Sequence, residues 1–157
     1  MRTDIGIKDK DREAVVEILN TLLADEFVLY TKTLNYHWNV KGSHFAEYHE
    51  FFGEQYEKIQ GFIDSIAERS RTLGGRAAGT MTEFLKLARL KEYAKEVPDA
   101  KKMMLALLED HEELINILRE DLETCGQKYK DMGTSDFLTG LMEDHEKMAW
   151  MLRSHLE

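Results

Sequence analysis

Apolar residues recur at the three- and four-residue spacing of an α-helix over four long stretches of this 157-residue chain. The first stretch predicts a helix from about Asp9 to Tyr36 or just beyond, through Val15, Ile18, Leu19, Leu22, Leu23, Phe27, Tyr30 and Leu34. The segment Lys41-Gly42-Ser43 ends this helix and is expected to cap the next. That second helix is predicted from about His44 to Leu73, where Gly74-Gly75 stops it. Because the connection is only a few residues long, the two helices should pack as antiparallel neighbours.

Two further helices follow a connection of about 24 residues. Pro98-Asp99 opens the third helix, which closes around Cys125-Gly126, and Thr134-Ser135 begins the fourth, which continues almost to the last residue. Within the long connection, Thr80-Met81-Thr82-Glu83 is a capping box and predicts a short helix that ends near Ala88. Four long helices with this crossover predict an all-α four-helix bundle with ferritin-like connectivity.

Composition places the chain among soluble helical proteins. It is 43% hydrophobic and 32% charged, so one domain over residues 1–157 is expected rather than a disordered chain. No apolar run approaches the roughly 18 residues of a membrane span, and the start from Met1 to Lys10 lacks the apolar part of a signal peptide. A cytoplasmic location is therefore expected, with the lone Cys125 as a buried, inert thiol. The formal charge of -9 suits a surface that attracts cations.

Projection of the second helix at 100° per residue separates two arcs. One arc is the expected core face and contains Phe45, Tyr48, Phe52, Tyr56, Ile59, Ile63, Ile66 and Leu73. The adjacent arc contains His49, Gly53, Glu57, Gly61, Asp64 and Glu68. Glycine inside a helix costs roughly 0.5–1 kcal/mol relative to alanine, so two glycines on one stripe suggest close approach by another helix.

The polar arc carries metal-binding side chains that one subunit cannot use together. His49 lies fifteen residues before Asp64 on the same predicted helix, about 22 Å away along the axis. If two copies of this helix cross antiparallel about a two-fold axis near Glu57, Gly53 meets the partner subunit's Gly61. The same operation brings His49 towards the partner subunit's Asp64 and Glu68. The alternative is that both glycines are tolerated on an exposed face, where the carboxylates only solubilise the helix.

A second imidazole, His37, lies at the end of the first predicted helix, close to the start of the second. Two imidazoles and two carboxylates suit iron(II), and also manganese or zinc. The Glu-x-x-His pairs of intrachain di-iron sites are absent, since the residues three before the histidines are Leu34, Lys41, Ala46, Leu108, Met142 and Leu152. A ferritin-like bundle with this donor pattern needs a site shared between subunits.

At this point the chain resembles the Dps family of ferritin-like proteins over nearly its whole length. The resemblance rests on four segments: Asn35-Tyr36-His37-Trp38-Asn39-Val40-Lys41-Gly42, His49-Glu50, Asp64-Ser65-Ile66-Ala67-Glu68-Arg69 and His145-Glu146-Lys147-Met148-Ala149-Trp150-Met151-Leu152-Arg153. It implies a hollow dodecamer that oxidises iron(II), typically with hydrogen peroxide, and stores iron(III) mineral. By position it implies iron ligands His37 and His49 from one subunit with Asp64 and Glu68 from its mate.

Some positions carry two readings or depart from the family pattern. Trp38 matches a tryptophan that could accept oxidising equivalents, and its ordinary role is packing at the helix end.

Many family members have an aspartate where this chain has Gly53, so the second iron position is expected to be weaker, water-filled or served by Glu54 or Glu57. Asp136 and Asp131 are candidates for a three-fold pore, although capping is the ordinary explanation of Asp136. Interior or surface hydrogen bonds, rather than metal, are expected for His111 and His145.

DNA binding is not expected, despite the family name. The first ten residues hold Arg2, Lys8 and Lys10 against Asp4 and Asp9 and do not form a lysine-rich tail. A basic cluster is interleaved with acidic residues, as on a solvated face; it comprises Lys86, Arg89, Lys91, Lys95, Lys101 and Lys102. The rival interpretation is a non-catalytic or DNA-protecting helical cage whose metal site only staples a dimer.

Overall fold

The computed structural model describes residues 3–92 and 97–157. Met1, Arg2 and residues 93–96, including Lys95 of the basic cluster, lie outside the described residues. Within the described ranges the chain is all-helical, without strands. The elements are α1 Asp9–Asn39, α2 Phe45–Thr72, α3 Met81–Leu87, α4 Ala100–Glu123 and α5 Met132–Ser154, with a π-helical turn over Thr124–Lys128. The predicted four-helix bundle with a short crossover helix is confirmed.

The four long helices form two antiparallel hairpins, α1 with α2 and α4 with α5, whose apolar faces meet in one core. Fully buried members of that core include Leu19, Leu22, Leu29, Phe52, Ile59, Ile66, Met103, Leu107 and Leu114. Phe45, expected on the core face, is 46% exposed at the first turn of α2. It lies in an exposed segment, residues 41–47, at the end of the bundle.

Two predicted helix starts need correction. The N-cap of α2 is His44 and makes no side-chain cap bond, so the capping role predicted around Ser43 is wrong. Helix α5 begins at Met132 rather than at Thr134, because the Asp131 carboxylate accepts the Thr134 N–H at 2.9 Å. Asp136 therefore lies inside the helix, exposed, and does not cap it. Asp131 is buried and also receives Arg69.

The crossover is fastened to the bundle by polar as well as apolar contacts. The predicted capping box is present, with Thr80 accepting from the Glu83 N–H and Glu83 accepting from the Thr80 N–H. Helix α3 packs on α1 through Phe27 and Phe84, whose rings stack with centroids 4.0 Å apart. After α3, the Arg89 guanidinium and backbone N–H both donate to buried Asp25. Arg89 is thus committed to the fold and is not a free member of the basic cluster.

Two further expectations concern the chain as a whole. Cys125 is buried in the π-helical turn, and burial raises the pKa of its thiol to about 12, as expected for an inert cysteine. None of the helices in the described ranges combines the length and apolar character needed to cross a bilayer.

Candidate metal centre

His37 and His49 form a stacked pair at one end of the bundle. His37 is in the last turns of α1 and His49 in the second turn of α2, and the short connection brings them together. Their ring centroids are 3.7 Å apart with an interplanar angle of 22°. Both residues are half-buried.

The backbone sets the protonation pattern of this histidine pair. Nδ1 of His37 lies 2.6 Å from the His49 carbonyl oxygen, and Nδ1 of His49 lies 2.8 Å from the His37 carbonyl oxygen. A carbonyl can only accept, so each neutral ring carries its proton on Nδ1 and a lone pair on Nε2. These bonds are the kind of outer contact that fixes the tautomer of a metal-binding histidine. The pair therefore presents two oriented Nε2 donors.

The two glycines of the polar arc have different surroundings. An added Cβ at Gly53 would lie 3.4 Å from Cε1 of His37, in contact with the chain's own histidine. The neighbour expected at Gly53, another helix, is thus replaced within the chain by the His37 ring. At Gly61 an added Cβ would meet nothing within 4 Å. The open glycine, rather than the covered one, lies on a surface that a second helix could approach.

Asp64 and Glu68 are exposed on α2, far along the helix from the histidine pair. Asp64, Glu57 and Gly61 line an open groove of about 790 Å³, together with Tyr30 of α1 and residues of the crossover. Within the described ranges no group of three or more His, Cys, Asp or Glu side chains is arranged to hold a metal ion. The chain by itself therefore carries a histidine pair and a separate carboxylate pair.

The aromatic neighbours of the histidine pair were not all found from the sequence. Phe45 stacks near His49 with centroids 5.1 Å apart, and Tyr56 meets His37 edge-on at 5.2 Å. Trp38 is 66% exposed and, among the described residues, makes no ring contact with either histidine. Tyr56 is predicted on the core face of α2, and its position two turns after His49 is the signal that it could reach the pair.

A second histidine pair lies deep in the bundle. Nδ1 of His111 is 2.8 Å from Nδ1 of His145, and Nε2 of His145 is 2.8 Å from a carboxylate oxygen of Glu26. All three side chains are fully buried. Burial, reinforced by His145, holds the pKa of His111 well below its usual range. The expected hydrogen-bonding role of both histidines is confirmed as an interior network, and Glu26 is its member that sequence reasoning missed.

The bundle topology and the helix in the crossover define a ferritin-like fold. Comparison with known proteins agrees, because residues 16–157 match the ferritin-like domain. DNA protection during starvation protein 2 of Bacillus anthracis is 41% identical over 91% of this chain and 97% of its own length. The chain belongs to the Dps family of ferritin-like proteins.

Other relatives and solved structures extend this result. An uncharacterized low temperature-induced protein of Nostoc sp. is 51% identical over 99% of this chain and 87% of its own length. The crystal structure of a Dps protein from Bacillus brevis superimposes with a TM-score of 0.90, at 33% identity over 96% of this chain and 100% of that one. The Vibrio cholerae Dps protein gives a TM-score of 0.92 at 34% identity, over 100% of this chain and 98% of that one. It is described as a member of a broad superfamily of ferritin-like diiron-carboxylate proteins.

Proposed function

We propose that this protein oxidises iron(II) with hydrogen peroxide at sites shared between two subunits, and stores the iron(III) as mineral inside a hollow dodecamer. The observation that carries the proposal is the histidine pair, whose Nδ1 atoms are bonded to backbone carbonyls while neither Nε2 has a hydrogen-bond partner among the described residues. Such a pair is built to bind a borderline metal ion from one side. Membership in the Dps family supports the same chemistry.

The remaining ligands come from a second copy of the chain. A two-fold crossing of α2 near Glu57 would bring the partner subunit's Asp64 and Glu68 to the histidine pair, and Gly61, which has open space around it, would face the crossing. Two neutral imidazoles and two carboxylates balance the charge of one iron(II), and zinc or manganese could substitute for it. Glu68 is the best placed to bridge towards a second metal position.

Iron binding should be unequal at the two positions of each site. Gly53 provides no carboxylate, and the nearby Glu54 and Glu57 are exposed on α2. We therefore expect one tight and one loose iron(II) per shared site. Titration of the metal-free oligomer with iron(II) under anaerobic conditions measures this directly, and two equally tight ions per site would contradict it.

The decisive test of the activity compares Asp64→Ala with wild type in peroxide-dependent iron(II) oxidation. Asp64 is exposed and makes no side-chain hydrogen bond or ion pair among the described residues, so the variant should fold and lose most of the initial rate. Glu143→Ala removes an exposed carboxylate from α5 and serves as the matched control. Equal rates for wild type and Asp64→Ala would favour a non-catalytic cage whose metal site only holds the dimer together.

Protection of DNA is the second candidate function, because the Bacillus anthracis relative carries that name. The net charge of -9 disfavours contacts with phosphate, and Arg89 of the basic cluster is already paired with Asp25. We expect no direct binding, with DNA spared indirectly through removal of iron(II) and peroxide. A clear shift of plasmid DNA by the assembled protein at moderate salt would overturn this expectation.

A further inference from the structure

Tyr56 is the one phenol in ring contact with the histidine pair among the described residues. Its centroid lies 5.2 Å from that of His37 with an interplanar angle of 74°, and it is half-buried on α2. On its other side, Tyr30 of α1 lies 5.9 Å away, again edge-on at 83°. A row of four rings in successive contact, called here a file of rings, therefore runs from His49 through His37 and Tyr56 to Tyr30. Tyr30 lines the groove beside α2.

This file of rings matters because of the electron count at the proposed site. Hydrogen peroxide accepts two electrons when its O–O bond breaks to give water and hydroxide, whereas one iron(II) supplies one. Two ions at two equal positions would supply both electrons together. Where Gly53 leaves the second position weak, a single bound ion would release a hydroxyl radical unless another donor is within reach.

We propose that Tyr56 supplies the second electron, a role that rests on the proposed iron oxidation. The step is Fe²⁺ + H₂O₂ + Tyr56–OH giving Fe³⁺ + H₂O + OH⁻ + Tyr56–O•. The O–O bond breaks, iron and phenol each lose one electron, and the phenolic proton ends on the oxygen that leaves as water. A second iron(II) then restores the residue, as Fe²⁺ + Tyr56–O• + H⁺ gives Fe³⁺ + Tyr56–OH. Two iron(II) ions are consumed per peroxide in sequence, through one tight position.

The geometry favours Tyr56 over the tryptophan singled out from the sequence. Electron transfer weakens steeply with distance, and the Tyr56 ring touches the ring of His37, a proposed ligand. Trp38 follows His37 in the chain, yet its ring faces solvent and a different surface pocket. Tyr30, next in the file, allows the oxidised state to be shared over two phenols.

The test is rapid-freeze electron paramagnetic resonance of the assembled, iron(II)-loaded protein mixed with limiting hydrogen peroxide. Wild type should show a tyrosyl radical that decays as further iron(II) is added. Tyr56→Phe keeps the ring packing and should lose the signal, while a spin trap collects more hydroxyl radical. Tyr48→Phe is the matched control, because Tyr48 is also half-buried on α2 but contacts the rings of His44 and His155 instead.

Each outcome bears on the assignment. The assignment is supported if Tyr56→Phe loses the tyrosyl radical signal and releases more hydroxyl radical, while Tyr48→Phe behaves as wild type. An unchanged radical and unchanged hydroxyl yield in Tyr56→Phe overturn it, as does a signal that disappears only in Trp38→Phe. Iron oxidation by wild type separates a failure of the Tyr56 role from a failure of the proposed function. Oxidation without a Tyr56 radical rejects the Tyr56 role alone, and absence of peroxide-dependent oxidation rejects the proposed function as well.

Discussion

The two histidine pairs have the same residue types and opposite surroundings. At the end of the bundle, His37 and His49 give their Nδ1 protons to backbone carbonyls and are half-buried. In the centre, Nε2 of His145 donates to the Glu26 carboxylate, so a neutral His145 accepts the Nδ1 proton of His111. His111 thus has the same tautomer as the outer pair, with its lone pair on Nε2.

The difference lies in what can reach that lone pair. Nε2 of His111 is fully buried, without a hydrogen-bond partner among the described residues, and no carboxylate from a second chain can approach it. The outer pair lies at the surface, where carboxylates of another subunit can complete a site. Metal binding by histidine here depends on access and on the supply of further donors, and not on the ring's protonation pattern alone.

Removal of an outer histidine should have the largest effect. Loss of a partner that only orients a metal ligand typically lowers metal affinity or activity about 10–100-fold. Loss of a ligand itself, in His49→Ala, should therefore lower the initial rate of iron(II) oxidation by at least about that factor. His111→Gln should leave the rate close to that of wild type, because the interior network does not reach the proposed site. The rates are measured with peroxide as oxidant on assembled protein. Equal losses in the two variants would erase the functional distinction between the pairs.

Removal of Glu26 should act on stability instead. Glu26→Ala leaves the buried Nε2 proton of His145 without an acceptor, which should lower the free energy of unfolding by about 1–3 kcal/mol. Glu17→Ala, an exposed carboxylate on the same helix, is the control. Urea unfolding is compared at fixed protein concentration, since assembly shifts apparent stability. An unchanged unfolding free energy together with a collapse of iron oxidation would assign Glu26 to the metal chemistry.

The interior pair should also make the fold acid-sensitive. The pKa of His111 is lowered in the folded state from an unfolded value of 6.5, so the unfolded chain binds more protons below that pH. Stability should therefore fall as the pH drops through about 6.5, by up to about 1.4 kcal/mol per pH unit. His111→Gln removes the titrating group and should flatten the dependence, as measured by urea unfolding at several pH values. The same slope in wild type and variant would place the acid sensitivity elsewhere.

The helices could be predicted from the sequence because their determinants are local. Apolar spacing fixed α1 and α2 to within a few residues, and the capping box placed α3, since each signal acts within one or two turns. The start of α5 was predicted at Thr134 instead of Met132, because Arg69, far away in sequence, pairs with Asp131 and holds it in the capping position.

The site was only partly predictable, for a related physical reason. Donor types and their spacing indicated His37, His49, Asp64 and Glu68 and showed that one subunit cannot join them, because helical rise is fixed. The ring contact of Tyr56, the mutual carbonyl bonds of the histidine pair and the partner Glu26 depend on how α1, α2 and α5 meet. The spacing of residues within one helix does not predict how two helices pack against each other.

The smallest expected effect tests where a second subunit packs. Gly61→Ala adds a methyl with nothing within 4 Å and should stabilise the isolated chain by about 0.5–1 kcal/mol. At Gly53 the methyl would touch Cε1 of His37 at 3.4 Å, so the gain in Gly53→Ala should be smaller. If α2 helices cross near Glu57, the Gly61 methyl also meets the partner subunit and should weaken association, seen as dissociation at higher protein concentration in sedimentation. Stronger chain stability with weaker assembly is the pattern that a two-fold crossing requires, because the same methyl helps the helix and obstructs its partner. Stabilisation with unchanged association would move the shared site away from this face.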